Sequence, residues 1–132
     1  PAAAKPKSKF QMTMFILKEW YLLEWKKSVL KRYSDEDVIF DGAILNREVL
    51  SGIFGIQDVR NDARLKYVEG ISGIEGIVRK AEKSIFRIAF CLYPVHMTEI
   101  EQVADKHKTL PPKSTWFEPR IKNGVLCAPF DK

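Results

Sequence analysis

Apolar and polar residues alternate along KFQMTMFILKEWYLLEW, with Phe10, Met12, Met14 and Ile16 falling on one side. A period of two marks a half-buried strand. Beyond Lys18-Glu19 come the strand-favouring Trp20, Tyr21 and Trp25, so the stretch predicts two strands joined by a tight turn. That turn carries neither Gly nor Asn, the residues short hairpin loops prefer. One amphipathic helix running on through KKSVLKRY is the competing reading, and the aromatic, alternating content favours the hairpin.

The period changes in SDEDVIFDGAILNREVLSGIFGI, where Leu45, Val49, Leu50 and Ile53 recur at helical spacing. Asp41 is placed to act as N-cap, and Gly52 or Gly55 to stop the helix. RLKYVEG then predicts a short strand. SGIEGIVRKAEKS predicts a helix opened by a capping box, Ser72 with Glu75. IFRIAFCLYPV is the most hydrophobic strand candidate and is expected at the centre of the sheet. TEIEQVADKHK follows as a helix with a capping box in Thr98 and Glu101. STWFEP and GVLCAPF are two further strand candidates, separated by the turn signal Lys122-Asn123-Gly124. The fold class this predicts is α+β: helices packed on a mixed or mostly antiparallel sheet, with an N-terminal β-hairpin.

Length and composition narrow the class. A chain of 132 residues, 45% hydrophobic and 30% charged, buries one core and predicts one domain over residues 10–132. No apolar run approaches the roughly 20 residues of a membrane-spanning helix. Residues 1–9, PAAAKPKSK, have no apolar core region and read as a linker rather than a signal. With no initiating Met, the chain is expected to be a piece of a longer protein. Cys91 and Cys127 sit in strand-like apolar surroundings without CxxC or His neighbours, which predicts reduced thiols and a cytoplasmic location.

The net charge of +5 is uneven: residues 1–33 carry +6, 34–105 carry −5 and 106–132 carry +4. Basic ends suit nucleic acid or a phosphorylated ligand, but no nucleic-acid motif accompanies them, and a solvated surface is the simpler reading. Gly70, Gly73 and Gly76 in EGISGIEG invite comparison with a phosphate loop. Their spacing fits neither GxGxxG nor Walker A, and Glu75 occupies the helix end that a phosphate would need, so a structural cap is expected. His96 and His107 lack metal or triad spacing, and His96 is expected in a strand-to-helix loop. No metal or cofactor is assigned.

Two segments carry candidate binding chemistry. QDVRNDAR alternates Asp58, Arg60, Asp62 and Arg64 in sign. Such a run is ordinarily a salt-bridged surface; in a functional version the acids hold a metal or amine and the arginines a carboxylate or phosphate. In TLPPKSTWFEP, Pro111-Pro112 is expected to hold the backbone extended as a stiff arm that presents Lys113, Ser114 and Thr115, an ammonium beside two hydroxyls, to an anion. Trp116 or Phe117 would anchor it. The alternative is a loop crossing the sheet edge, its hydroxyls satisfying local backbone.

The strings PPKSTWFEPR, NGVL, AFCLYPV, FGIQDVRNDARLKYVEGISGIEG, DGAILNREVL and KEWYLLEW together resemble the C-terminal part of a bacterial family known as domain of unknown function 1015. The resemblance spans residues 10–126. It departs at Lys18-Glu19, where members tend to have Gly-Lys. It implies an accessory domain of a much longer protein whose N-terminal part carries an Asp-Gly-His-His-Arg motif similar to ParB-like folds, which include nucleotide-dependent free-serine kinases. On that analogy Lys113, Ser114, Thr115, Asp58, Asp62 and Arg64 would complete a cleft for a small phosphorylated ligand or nucleotide, with the N-terminal domain as partner. The alternative is a packing or homo-oligomerisation module without a ligand site of its own.

Overall fold

The structure is a computed structural model that describes residues 5–83 and 87–115. The alternating N-terminal stretch is a hairpin: β1 (Gln11–Ile16) pairs antiparallel with β2 (Glu19–Glu24), Ile16 opposite Glu19 and Gln11 opposite Glu24. The loop is therefore Leu17-Lys18, one residue earlier than expected. Both loop residues lie in the left-handed region, with φ of 50° and 66°, as a type I′ hairpin requires. Their Cβ atoms make that conformation costly, which is why Gly or Asn is usual.

After β2 comes a single helical turn, α1 (Lys27–Leu30), followed by a 3₁₀ turn through Tyr33. α2 (Asp41–Ile44) widens into a π-helical segment, Leu45–Ser51. The widening changes which residues face inward. An i→i+5 pattern, seen in the bond from Gly52 N–H to Arg47 O at 3.1 Å, sets Leu45 and Leu50 on one face, and both are buried. Ile53, expected inside from α-helical spacing, is 71% exposed. Gly55, at φ 65°, ends the segment, and the Ile56 N–H reaches back to Leu50 O. Ile56 thereby joins Met12, Leu45 and Leu50 in the core, with Leu23, Phe90 and Leu92 packed against them.

The remaining elements are α3 (Gly73–Ala81), β3 (Ala89–Leu92) and α4 (Met97–Asp105). β3 pairs antiparallel with β1, Met12 opposite Leu92, so the sheet order is β2-β1-β3. The fold is α+β, as expected. Among the described residues, however, the most hydrophobic strand candidate is not central; β1 is. Consecutive β1 residues Met12 and Thr13 are both buried, Thr13 completely, which requires cover on both faces. RLKYVEG is not a strand. Tyr67 bonds outside any ladder: its carbonyl accepts from Lys80 Nζ at 2.7 Å, and its hydroxyl donates to Val59 O at 2.8 Å. Of STWFEP, Ser114 and Thr115 are not in a strand. The rest of that candidate and GVLCAPF lie outside the described residues.

Neither expected capping box forms. Ser72 sits in a 3₁₀ turn with helical φ and ψ, where its side chain makes no cap bond. α4 starts before Thr98: His96 is extended at its N-cap, and Glu99 accepts the His96 N–H at 2.9 Å. Glu99 also pairs with Lys9. At the far end of α4, Lys106 and Lys108 both bind Asp37, which ties the helix to the loop before α2.

Asp41 has a larger role than N-cap. The cap is Phe40, and Asp41 makes its bonds elsewhere. Its Oδ2 accepts the Phe10 N–H at 3.1 Å and its Oδ1 accepts the Trp25 Nε1–H at 2.9 Å, while Trp25 N–H donates to Phe10 O. One buried carboxylate thus closes the open end of the hairpin onto α2. Phe10 has φ 69°, a strained value for a bulky residue, and both of its backbone polar groups are satisfied by this closure. Hydrogen bonds anchoring β1 begin still earlier: Lys7 N–H donates to Gln11 Oε1, and Gln11 N–H to Ser8 O. Among the described residues no helix is long and apolar enough to cross a membrane.

Two stability measurements follow from this geometry. Asp41→Ala strands two partly buried donors and is expected to cost about 2–4 kcal/mol in urea unfolding. Asp41→Asn rescues it only partly, because an amide carries a donor where the carboxylate has a second acceptor. Replacing Leu17-Lys18 with Asn-Gly relieves the left-handed loop and is expected to add roughly 1–2 kcal/mol; an unchanged midpoint would show that the loop is unstrained.

Candidate functional site

The residues between Ile56 and Arg64 make a loop stiffened by its own acids. Asp58 Oδ1 accepts the Arg60 N–H at 2.9 Å, and its Oδ2 accepts Asn61 Nδ2 at 2.8 Å. An Asp that bonds the backbone two residues on is the Asx-turn arrangement, in which the side chain imitates a backbone turn. Asp62 does the same for Arg64 N–H at 2.9 Å. It also receives the Arg64 guanidinium as a fork, Nε on Oδ1 at 3.0 Å and Nη2 on Oδ2 at 2.6 Å. The remaining arm of Arg64 donates to Phe54 O at 3.1 Å, fastening the loop to the end of the π-helical segment.

These bonds set the charge states. The Arg64 fork and backbone N–H hold the Asp62 carboxyl down at about 2. Asn61 and the Arg60 N–H lower Asp58. Asp41 goes the other way: burial raises it, outweighing the bonds from Phe10 and Trp25 and the nearby Lys9 charge.

The second candidate segment is a turn and not an extended arm. Pro112 and Lys113 form its centre, Lys113 has φ 62°, and Ser114 Oγ donates to Pro111 O at 2.6 Å. The hydroxyl serves the local backbone, which corrects the expectation of a stiff extended presentation; two prolines still leave the following residue free to turn back. Thr115 is exposed, and Trp116 and Phe117 lie outside the described residues.

Tyr67 brings the two segments together. Its hydroxyl holds the 57–64 loop through Val59 O, and Lys113 Nζ stands 5.8 Å from the centre of its ring. A cation over a tyrosine face at an exposed site is worth about 0.5–1 kcal/mol. Lys113 is thus linked to the loop of Asp58, Asp62 and Arg64 through one aromatic side chain, while Ser114 is turned back onto Pro111. Tyr67 lies in the segment RLKYVEG that reads as a strand, and nothing local in the sequence marks it as a hub.

Other readings resolve structurally. Gly76 is buried, and a Cβ there would lie 2.5 Å from the Ser72 Cβ and 3.3 Å from Val68 Cγ1, so this glycine permits a close approach within the α3 turn. Glu75 stands in the first turn of α3. His96 lies at the junction of strand and helix, its ring 5.8 Å from that of Tyr93. Cys91 is a free, half-buried thiol whose pKa burial pushes up. An open groove of about 460 Å³ runs along α3 between Ile74, Glu75, Val78, Arg79 and Glu82, and none of the six candidate residues lines it. Among the described residues, no group of three or more His, Cys, Asp or Glu is placed to hold a metal ion.

No family model, curated protein or solved structure matches the chain.

The pH dependence of unfolding tests the loop. Asp62, lowered in the fold, contributes stability that is present above an unfolded pKa of about 3.9 and is lost as pH falls toward 2. Asp37, also held at about 2 by Lys106 and Lys108, acts in the same window. Asp41, raised in the fold, has the opposite sign: ionising it costs stability as pH climbs from its unfolded value to its folded one. Asp62→Asn is expected to flatten the acid limb between pH 4 and 2, read from thermal midpoints; an unaltered limb would mean that the Arg64 fork does not persist in solution.

Proposed function

We propose that this chain is a non-catalytic accessory domain, cytoplasmic and C-terminal in a longer protein, that works by packing against a partner surface. The resemblance to domain of unknown function 1015 supports the accessory placement. The observation that carries the packing role is the internal hydrogen bonding of the candidate site: Asp58, Asp62 and Ser114 bind their own loops, and Arg64 joins Asp62 to Phe54 O. A site for a charged ligand instead keeps donors aimed at the ligand position. Internal bonding of this sort makes a rigid ledge, the property a docking surface needs.

One observation favours a second reading, contact with a small phosphorylated ligand or nucleotide. Lys113 holds its ammonium over Tyr67, and among the described residues no carboxylate pairs with it. An anion there would find one cation and little else pre-organised. The cytoplasmic placement rests on the free, half-buried Cys91.

Isothermal titration of the chain with ATP, ADP, serine and phosphoserine distinguishes the two. The packing reading expects no saturable heat with any of them. Saturable binding of ATP, ADP or phosphoserine that disappears in a folded Lys113→Ala variant would overturn it in favour of the ligand reading.

A further inference from the structure

The hairpin register fixes which backbone groups of β2 face away from β1. In a two-residue hairpin loop the flanking pair exchanges hydrogen bonds, and bonded pairs recur at every second residue. Ile16 and Glu19 flank this loop, and the bond from Trp25 N–H to Phe10 O at the other end keeps the same phase. Glu19, Tyr21, Leu23 and Trp25 therefore turn their backbone groups toward β1. Trp20, Leu22 and Glu24 turn theirs away, and among the described residues no strand meets them. The edge is also apolar and exposed: Leu22 is 53%, Tyr21 42% and the loop residue Leu17 67% exposed. Edge strands are usually blunted by Pro, by a bulge or by central charges. Here the centre is Trp20-Tyr21-Leu22-Leu23, with charge only at the ends, in Glu19 and Glu24.

We propose that β2 pairs antiparallel with β2 of a second copy of this chain about a two-fold axis at Tyr21, joining the two sheets into one. This rests on the packing reading above and names its partner. Backbone phase leaves only registers that place even residues opposite even ones. With the axis at Tyr21, Trp20 faces the partner's Leu22, so the outward groups of each strand exchange hydrogen bonds. Lys18, the loop residue next to the strand, then comes level with the partner's Glu24, twice by symmetry. Moving the axis to Leu22 sets Lys18 against the partner's Lys26 and Glu24 against the partner's Trp20. Moving it to Trp20 carries Glu24 past the partner's hairpin loop, where no charge of that β2 edge answers it. Charge complementarity thus selects one register, and opposite charges across strands favour pairing as like charges oppose it.

Sedimentation equilibrium of the whole chain across micromolar to millimolar concentration tests this. The wild type is expected to dimerise reversibly. Lys18→Glu and Glu24→Lys each turn two attractive contacts into two repulsive ones and are expected to weaken the dimer about tenfold or more. The double variant, with the charges exchanged, is expected to recover it. Leu22→Pro removes an N–H that points away from β1, so circular dichroism should show the fold retained while the dimer is lost. A wild type that stays monomeric, or reversals that the double variant does not rescue, would overturn the self-pairing. A monomer that binds none of the four titrants leaves the packing reading with a different partner, so the two failures are separable.

Discussion

A single buried carboxylate, that of Asp41, joins the start of β1 and the residue after β2 to the first turn of α2. A hairpin alone is marginal in water, since it buries too little on either face. Here its open end is fixed on the same helix whose π-helical continuation supplies Leu45 and Leu50 to the core. Burial makes the ionised form of Asp41 costly, and two N–H donors with a nearby Lys9 offset part of that cost. Lys9 in turn pairs with Glu99, which holds the N-terminus of α4. The polar chain from Asp41 through Lys9 to Glu99 therefore connects hairpin, α2 and α4, three elements far apart in sequence.

The same economy governs the candidate site. Around residues 57–64 the acids bind backbone within their own loop, and Arg64 completes the closure on Phe54 O. Exposed ion pairs of this kind contribute little stability singly. Their effect is conformational: they define one shape for a loop that lacks a strand partner among the described residues. Tyr67 links that loop to Lys113, through its bond to Val59 O and the ammonium over its ring. A preset surface suits association, because less side-chain freedom is lost when a partner arrives.

Charge is distributed unevenly along the chain. The basic N-terminal third contributes Lys9 to Glu99, and the basic end of α4 contributes Lys106 and Lys108 to Asp37. Part of the positive excess at each end thus pairs with the acidic middle of the chain. The β2 edge stands apart from this network, apolar at its centre and charged only at its ends.

Patterns of short range were legible in the chain itself. Alternation from Phe10 to Trp25 placed the hairpin, helical spacing placed the helical segment that begins at Asp41, and α3 and α4 stand where helices were expected although the capping boxes that marked them do not form. Each reflects burial of one face, which neighbouring residues encode on their own. What tertiary structure decided was where polar groups find partners. Asp41 has the signature of an N-cap, yet Phe10 and Trp25 take both its oxygens. Tyr67 has the signature of a strand residue, yet Val59 and Lys113 make it a hub. The π-helical segment packs Leu45 and Leu50 with Met12, more than thirty residues earlier in the chain, and leaves Ile53 exposed. A buried donor must be satisfied by whatever acceptor folding brings near, and no local period records which one that will be.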